Sequence, residues 1–227
     1  MGEALINPDR FATDLCWDCG GRSAGTHFCS VCGKIQPVAA ASDHFTFFGL
    51  PRKLRIDESE LEKTFYALSR QFHPDFFMGA AESERQASME RSSMLNDAYR
   101  TLRDVVSRVT YLLVLEGYKE AEKKAPPDLL EEVFELNMQI EELKAAKQSG
   151  DDQEVAEARS ALEAALVGLR ETLDGIDKRL LALFEEWDLA VDRNDAAEKK
   201  QALDSLSELL SHRSYVRHLV DGMQEEL

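Results

Sequence analysis

Beyond residue 32 this 227-residue chain contains no cysteine; all four lie between positions 16 and 32. A secreted disulfide scaffold spreads its cysteines over a small fold, so this distribution points to a local site and away from a cross-linked framework. Positive charge is also scarce, with 27 Lys and Arg against 43 Asp and Glu and a net charge of −16. Affinity for a nucleic-acid backbone comes from Lys and Arg displacing counterions, so no nucleic acid is expected as a partner. An anionic membrane surface is disfavoured for the same reason, and no apolar run approaches the ~18–20 residues that span a bilayer. The first fourteen residues lack an apolar signal core, and Glu3, Asp9 and Asp14 remove the acid-poor character of an organelle transit peptide. The expected setting is cytoplasmic, or the mitochondrial matrix if the source is eukaryotic. Gly-x-x-x-x-Gly-Lys-Ser/Thr loops, Gly-x-Ser-x-Gly elbows and His-Glu-x-x-His helices are all missing. The chain is therefore expected not to be an enzyme, with no ATPase or hydrolase activity of its own.

What is present is a long helical pattern. Asp43 or Ser42 can cap a short helix through Phe45, Phe47 and Phe48 that stops at Gly49 and Pro51. Asp57-x-x-Glu60 has the form of a capping box, and Leu61, Phe65, Leu68 and Phe72 follow at helical spacing as one buried stripe. Pro74 disfavours helical geometry at His73, so this helix ends there. After a polar loop with Gly79 the period resumes near Glu82 and runs through Met94, Leu95, Ala98, Tyr99, Leu102 and Val106. A further apolar stretch covers Val109–Leu115, and Gly117 and Pro126-Pro127 punctuate its end. From Asp128 the pattern becomes heptad-like, with a seam of Leu129, Val133, Leu136, Ile140 and Leu143. Breaks at Ser149-Gly150-Asp151 and Asn194-Asp195 divide the remainder into three long amphipathic helices, which implies an antiparallel three-helix bundle. The expected fold is all-α, with segments 1–42 (cysteine module and linker), 43–118 (helical hairpin) and 119–227 (bundle). The bundle segment holds 27 acidic and 14 basic residues, most of the net charge.

Cys16-x-x-Cys19 and Cys29-x-x-Cys32 are each followed by glycine, Gly20 and Gly33. Two intervening residues let both sulfurs of a tight knuckle point at one ion, the glycine lets the backbone turn, and four sulfurs close a tetrahedral site. The expected cofactor is structural Zn²⁺, while iron in a rubredoxin-like centre uses the same knuckles. A redox role for the two pairs needs a surrounding βαβ pattern, which is missing. His27 is left out of the ligand set, because four cysteines suffice.

His73-Pro74-Asp75 falls where one amphipathic helix breaks, between Tyr66-Ala67-Leu68-Ser69-Arg70-Gln71-Phe72 and Leu95-Asn96-Asp97-Ala98-Tyr99-Arg100-Thr101-Leu102. Taken alone, His73 and Asp75 could be making turn and capping hydrogen bonds. With both flanking helices the segment resembles a J-domain. The resemblance implies that His73, Pro74 and Asp75, with the basic face carrying Lys63 and Arg70, bind a DnaK-class chaperone and trigger its ATP hydrolysis. Phe76-Phe77 stands where many J-domains carry basic residues. That departure is shared with the iron–sulfur branch, the HscB or Jac type. Phe45-Thr46-Phe47-Phe48-Gly49-Leu50-Pro51, the segment from Arg108 to Gly117, the acidic bundle and the tetracysteine module are also similar to that branch.

The branch implies two partners, a DnaK/HscA-class chaperone ATPase and an IscU-type iron–sulfur scaffold delivered to it for cluster transfer. Leu130, Phe134 and Met138 form a second row on the first bundle helix, rotated by about 100° from its seam. Periodicity alone allows these residues to be core, since each helix of a bundle touches two neighbours. The resemblance implies that they bind the scaffold together with Tyr215, rimmed by Glu131 and Glu135. An alternative is a zinc-dependent adaptor, or a general J-protein with a different client. A homo-oligomer stays open.

Overall fold

The structure, a computed structural model, describes residues 15–23, 26–39, 42–118 and 130–227, without the side chains at 130–132. Expectations falling on the first fourteen residues, on Pro126-Pro127 and on Leu129 lie outside the described residues. The fold is all-α: the regular elements are helices, and extended pairing among the described residues is limited to isolated bridges, Leu15 with Arg22 and Phe28 with Ile35. The chain forms two compact units, Met1–Arg108 and Val109–Leu227.

In the first unit, α1 (His44–Phe47) starts from a reciprocal cap. The Asp43 carboxylate accepts the Thr46 amide at 2.8 Å, and the Asp43 amide donates to the Thr46 hydroxyl at 3.0 Å. Burial opposes ionisation of Asp43, but the Thr46 amide and Arg52, 2.7 Å away, outweigh it and hold the carboxyl below its ordinary range. Gly49, at φ +69°, supplies the left-handed turn that ends this segment. The next helix, α2 (Glu58–Phe72), is capped by Asp57, which accepts the amides of Ser59 and Glu60. Its expected stripe is present, with Leu61 and Phe72 buried and Phe65 and Leu68 half-buried. Phe65 stacks on Tyr99 at 4.2 Å and joins α2 to α3 (Glu82–Arg103). Between them Pro74–Phe77 forms one 3-10 turn.

Asp104 is extended and accepts the Ser107 amide at 2.8 Å, which starts α4 (Val105–Leu115). The boundary between the two units falls inside α4. The cysteine segment groups with α1 to α3 in the first unit.

The second unit contains α5 (Leu130–Ser149), α6 (Asp152–Arg193) and α7 (Ala196–Glu226). Asp151 and Asp195 each cap the following helix by accepting two backbone amides. Gly150 and Asn194, both at positive φ, end the preceding ones. Turns this short leave consecutive helices antiparallel, and the Arg213–Asp177 ion pair at 2.6 Å ties α7 to α6. On α6 a seam from Leu162 to Trp187 is buried, with Val155 half-buried, and Leu136, Leu143, Val216, Val220 and Met223 close over its first half. At 1.5 Å per residue, α5 with 20 residues is about 30 Å long and α6 with 42 is about 63 Å. Accordingly α5 covers only part of α6 and meets α7 marginally.

Leu162 is fully buried, whereas Val167 on the same helix is more than half exposed. Leu162→Ala should cost about 2–5 kcal/mol in urea melts, and Val167→Ala should stay within about 0.5 kcal/mol of the parent. Equal losses at the two sites would contradict this assignment of the core face.

Candidate metal centre and exposed loop

The two knuckles repeat one backbone pattern. The Cys16 amide donates to Gly21 O at 2.7 Å and Gly20 N to Cys16 O at 3.1 Å; Cys29 N donates to Lys34 O and Gly33 N to Cys29 O, both at 2.9 Å. Gly20 and Gly33 sit at φ +70° and +72°, as the tight turn requires. Gly21 has a different reason to be glycine, since a Cβ there would lie 2.9 Å from the Val31 side chain.

The turns bring all four Sγ atoms within 4.8 Å of one another, with Cys16–Cys32 at 3.6 Å and Cys19–Cys29 at 3.7 Å. An ion about 2.3 Å from each of four tetrahedral sulfurs spaces them by about 3.8 Å, so the set is compatible with one metal ion. Amides of Asp18, Gly21 and Val31 and the Gln36 side chain each donate to a sulfur at 3.4 Å, the arrangement a thiolate needs. Burial opposes ionisation of Cys16, but the amides of Cys19 and Asp18 and the thiols of Cys32 and Cys29 bring it down to about 6. At Cys32 the Lys34 amide favours the thiolate, yet burial and the other three cysteines drive it up to about 12. Sulfurs this close resist accumulating charge unless a cation sits among them.

At the far end of α2, His73 and Asp75 stand out from the 3-10 turn with side chains 53% and 76% exposed. His73 Nδ1 accepts the Asp75 amide at 3.3 Å, so the turn bond exists and still leaves both groups accessible. Phe76 and Met78 beside them are largely exposed as well. Lys63 and Arg70 are exposed on α2, Lys63 held by Glu60 at 2.6 Å. On α5, Phe134 is 66% and Met138 50% exposed, outside the core formed by Leu136 and Leu143. The Leu130 and Glu131 side chains lie outside the described residues. Tyr215 is half-buried against the bundle core.

The curated mouse iron–sulfur cluster co-chaperone protein HscB is 36% identical over 132 residues, 55% of this chain and 56% of that protein. The HscB homolog of Arabidopsis thaliana is 37% identical over 129 residues, 56% of this chain and 51% of that protein. The crystal structure of human co-chaperone protein HscB covers 93% of this chain and 97% of its own at a TM-score of 0.60, with 24% identity. This chain is similar to the HscB co-chaperones. It spans about half the length of those two curated HscB relatives, and no family model matches it. The likeness to the human HscB structure establishes the fold, and the tetracysteine cluster stands in this chain's own geometry.

One group of residues escaped the sequence reading. Arg91, on α3, is 4% exposed and donates to Pro37 O at 3.0 Å, to Gln36 O, to His27 Nδ1 and, at 3.5 Å, to Thr26 O. Burial and then the Arg91 charge push His27 down to about 4, so at neutral pH its ring is uncharged and accepts the bond. The ring faces Phe47 and Phe72 at 5.0 Å, which matches its omission from the ligand set. A signal existed: Glu84, Ser88 and Arg91 occupy the same helical stripe as Ala87, Leu95, Ala98 and Leu102. Polar groups on a core stripe must find partners elsewhere in the fold.

Cys16→Ser should abolish stoichiometric metal binding, measured by elemental analysis, while the far-ultraviolet helical signal persists, since α5 to α7 have their own core. Because protons compete with the metal for the sulfurs, affinity should fall as pH is lowered. Full metal content in Cys16→Ser would remove the cluster from consideration.

Proposed function

We propose that this chain is a co-chaperone of iron–sulfur cluster assembly that works by binding and carries out no covalent chemistry of its own. On this reading segment 43–118 is a J-domain that stimulates a DnaK/HscA-class ATPase through His73, Pro74 and Asp75, with Lys63 and Arg70 on the same face. Segment 119–227 binds an IscU-type scaffold, and 1–42 is a structural zinc module. Its setting is the cytoplasm, or the mitochondrial matrix in a eukaryote.

The observation that carries the reading is the hairpin tip. A His and an Asp with exposed side chains, held on one rigid turn between two packed helices, contribute little to stability and are free to engage a partner. The HscB relatives and the HscB-like fold support the same assignment. For the scaffold, support comes from Phe134 and Met138, which the core does not use. Zinc suits four sulfurs with no open position, because it contributes folding energy without redox chemistry.

In a steady-state assay with a DnaK/HscA-class chaperone, the parent should stimulate ATP hydrolysis, and His73→Gln and Asp75→Asn should lose most of that stimulation with unchanged thermal melts. Parent-like stimulation by either variant would return the tripeptide to a purely structural role. Phe134→Ala combined with Met138→Ala should weaken scaffold binding by more than about 2 kcal/mol in calorimetry. Because both side chains are exposed, stability should fall by less than about 1 kcal/mol. A large stability loss with unchanged scaffold affinity would place the row in the core.

A further inference from the structure

The guanidinium of Arg91 stands between the cysteine knuckles and the helix that leads into the exposed loop. Among the described residues its four acceptors belong to the cysteine module: Thr26 O, His27 Nδ1, Gln36 O and Pro37 O. Those residues flank the Cys29–Cys32 knuckle and are drawn together by the Phe28–Ile35 bridge. Gln36 also donates its side chain to Cys16 Sγ. On the other side, the guanidinium lies over the rings of Phe47 and Phe72, 5.9 and 5.7 Å from their centroids. Phe72 is the last residue of α2 and immediately precedes His73. Its carbonyl accepts the hydroxyls of Ser88 at 2.6 Å and Ser92 at 3.0 Å, and its ring packs on His27 and Phe28 of the module. Lys34 closes the same seam from the module by pairing with Glu84, in the first turn of α3, at 2.6 Å.

Among the described residues the hydrogen-bond acceptors of Arg91 are neutral, so this buried charge is kept in place by carbonyls, one imidazole nitrogen and aromatic faces. The carbonyls keep their positions only while the knuckles are folded, and so short a segment depends on its metal for that folding. When the metal leaves, the guanidinium loses its acceptors and cannot remain under Phe72 without the full cost of an unsatisfied charge. We propose that Arg91 is a positioning residue that couples metal occupancy of the tetracysteine site to the geometry of the His73-Pro74-Asp75 loop. The functional meaning of that geometry rests on the reading of the loop as a chaperone contact. Linkage is reciprocal, so whatever stabilises the loop side also tightens the metal.

The test uses the full chain, zinc-loaded or stripped by a chelator, in the parent, Arg91→Met, Arg91→Lys and His27→Ala. Amide hydrogen exchange is followed at Phe76, Met78 and Ala80, which donate to the carbonyls of His73, Asp75 and Phe77. In the parent, stripping zinc should speed exchange at these amides by about tenfold or more while the α6 core is unmoved. Arg91→Met and His27→Ala should still bind one zinc but lose it to a competing chelator at about tenfold lower chelator concentration. Their loop amides should exchange fast even when loaded, and Arg91→Lys should restore part of both effects. Loop exchange in the parent that ignores zinc overturns the coupling. So does a zinc affinity within about twofold of the parent in the folded variants. Should Arg91→Met fail to fold, the zinc dependence of loop exchange in the parent, compared with Arg91→Lys, decides the matter. Neither readout includes a chaperone, so a parent that failed to stimulate any ATPase would remove the functional reading and leave the coupling standing.

Discussion

Proline at position 74 has no amide hydrogen to give a helix, and its ring disfavours helical geometry at His73. The first unit depends on that constraint. It stops α2 with Phe72 as its last buried residue, forces one 3-10 turn and turns the chain so that α3 can pack back along α2. The same turn leaves the His73 and Asp75 side chains exposed. A helix running through this point would set the two side chains about 200° apart, on opposite faces. The break is therefore both the topological corner of the hairpin and the reason a polar pair is displayed there.

Much of the architecture was legible because its determinants are local. Asp43, Asp57, Asp151 and Asp195 cap the helices that follow them, and Gly49, Gly150 and Asn194 take the left-handed turns that end segments. The cysteine cluster was legible for the same reason, since two residues and a glycine define a knuckle without outside help. The docking of the module onto the hairpin was not legible. Its acceptors lie more than fifty positions from Arg91 in sequence, and three of the four are backbone carbonyls, which carry no side-chain signature. The segment around 37–42 read as a plain linker because small residues carry no periodicity, yet Pro37 supplies one of the carbonyls that hold Arg91.

The second row on α5 shows a different limit. Leu136 with Leu143 and Phe134 with Met138 both satisfy helical spacing, and periodicity cannot say which pair faces inward or whether both do. The deciding quantity is how much of the circumference of α5 its neighbours cover, and that depends on tertiary lengths. Since α6 is twice as long as α5 and α7 barely reaches α5, the buried arc is narrow and Phe134 and Met138 fall outside it.

An exposed phenylalanine and methionine on one helix face have a colloidal consequence. Apolar side chains left in water favour association of one copy with another, and nothing in their chemistry discriminates between a copy and a client. The segment that carries them also holds 27 acidic against 14 basic residues. Like charge keeps copies apart at distances where the short-range apolar attraction has not begun, while a partner with a basic rim is drawn in. This protection is electrostatic and so depends on ionic strength: with a Debye length of about 8 Å at physiological salt it reaches across a side chain, and at about 3 Å in molar salt it does not. The acidity of the bundle thus acts as a solubilising layer around an apolar surface that the described residues leave exposed.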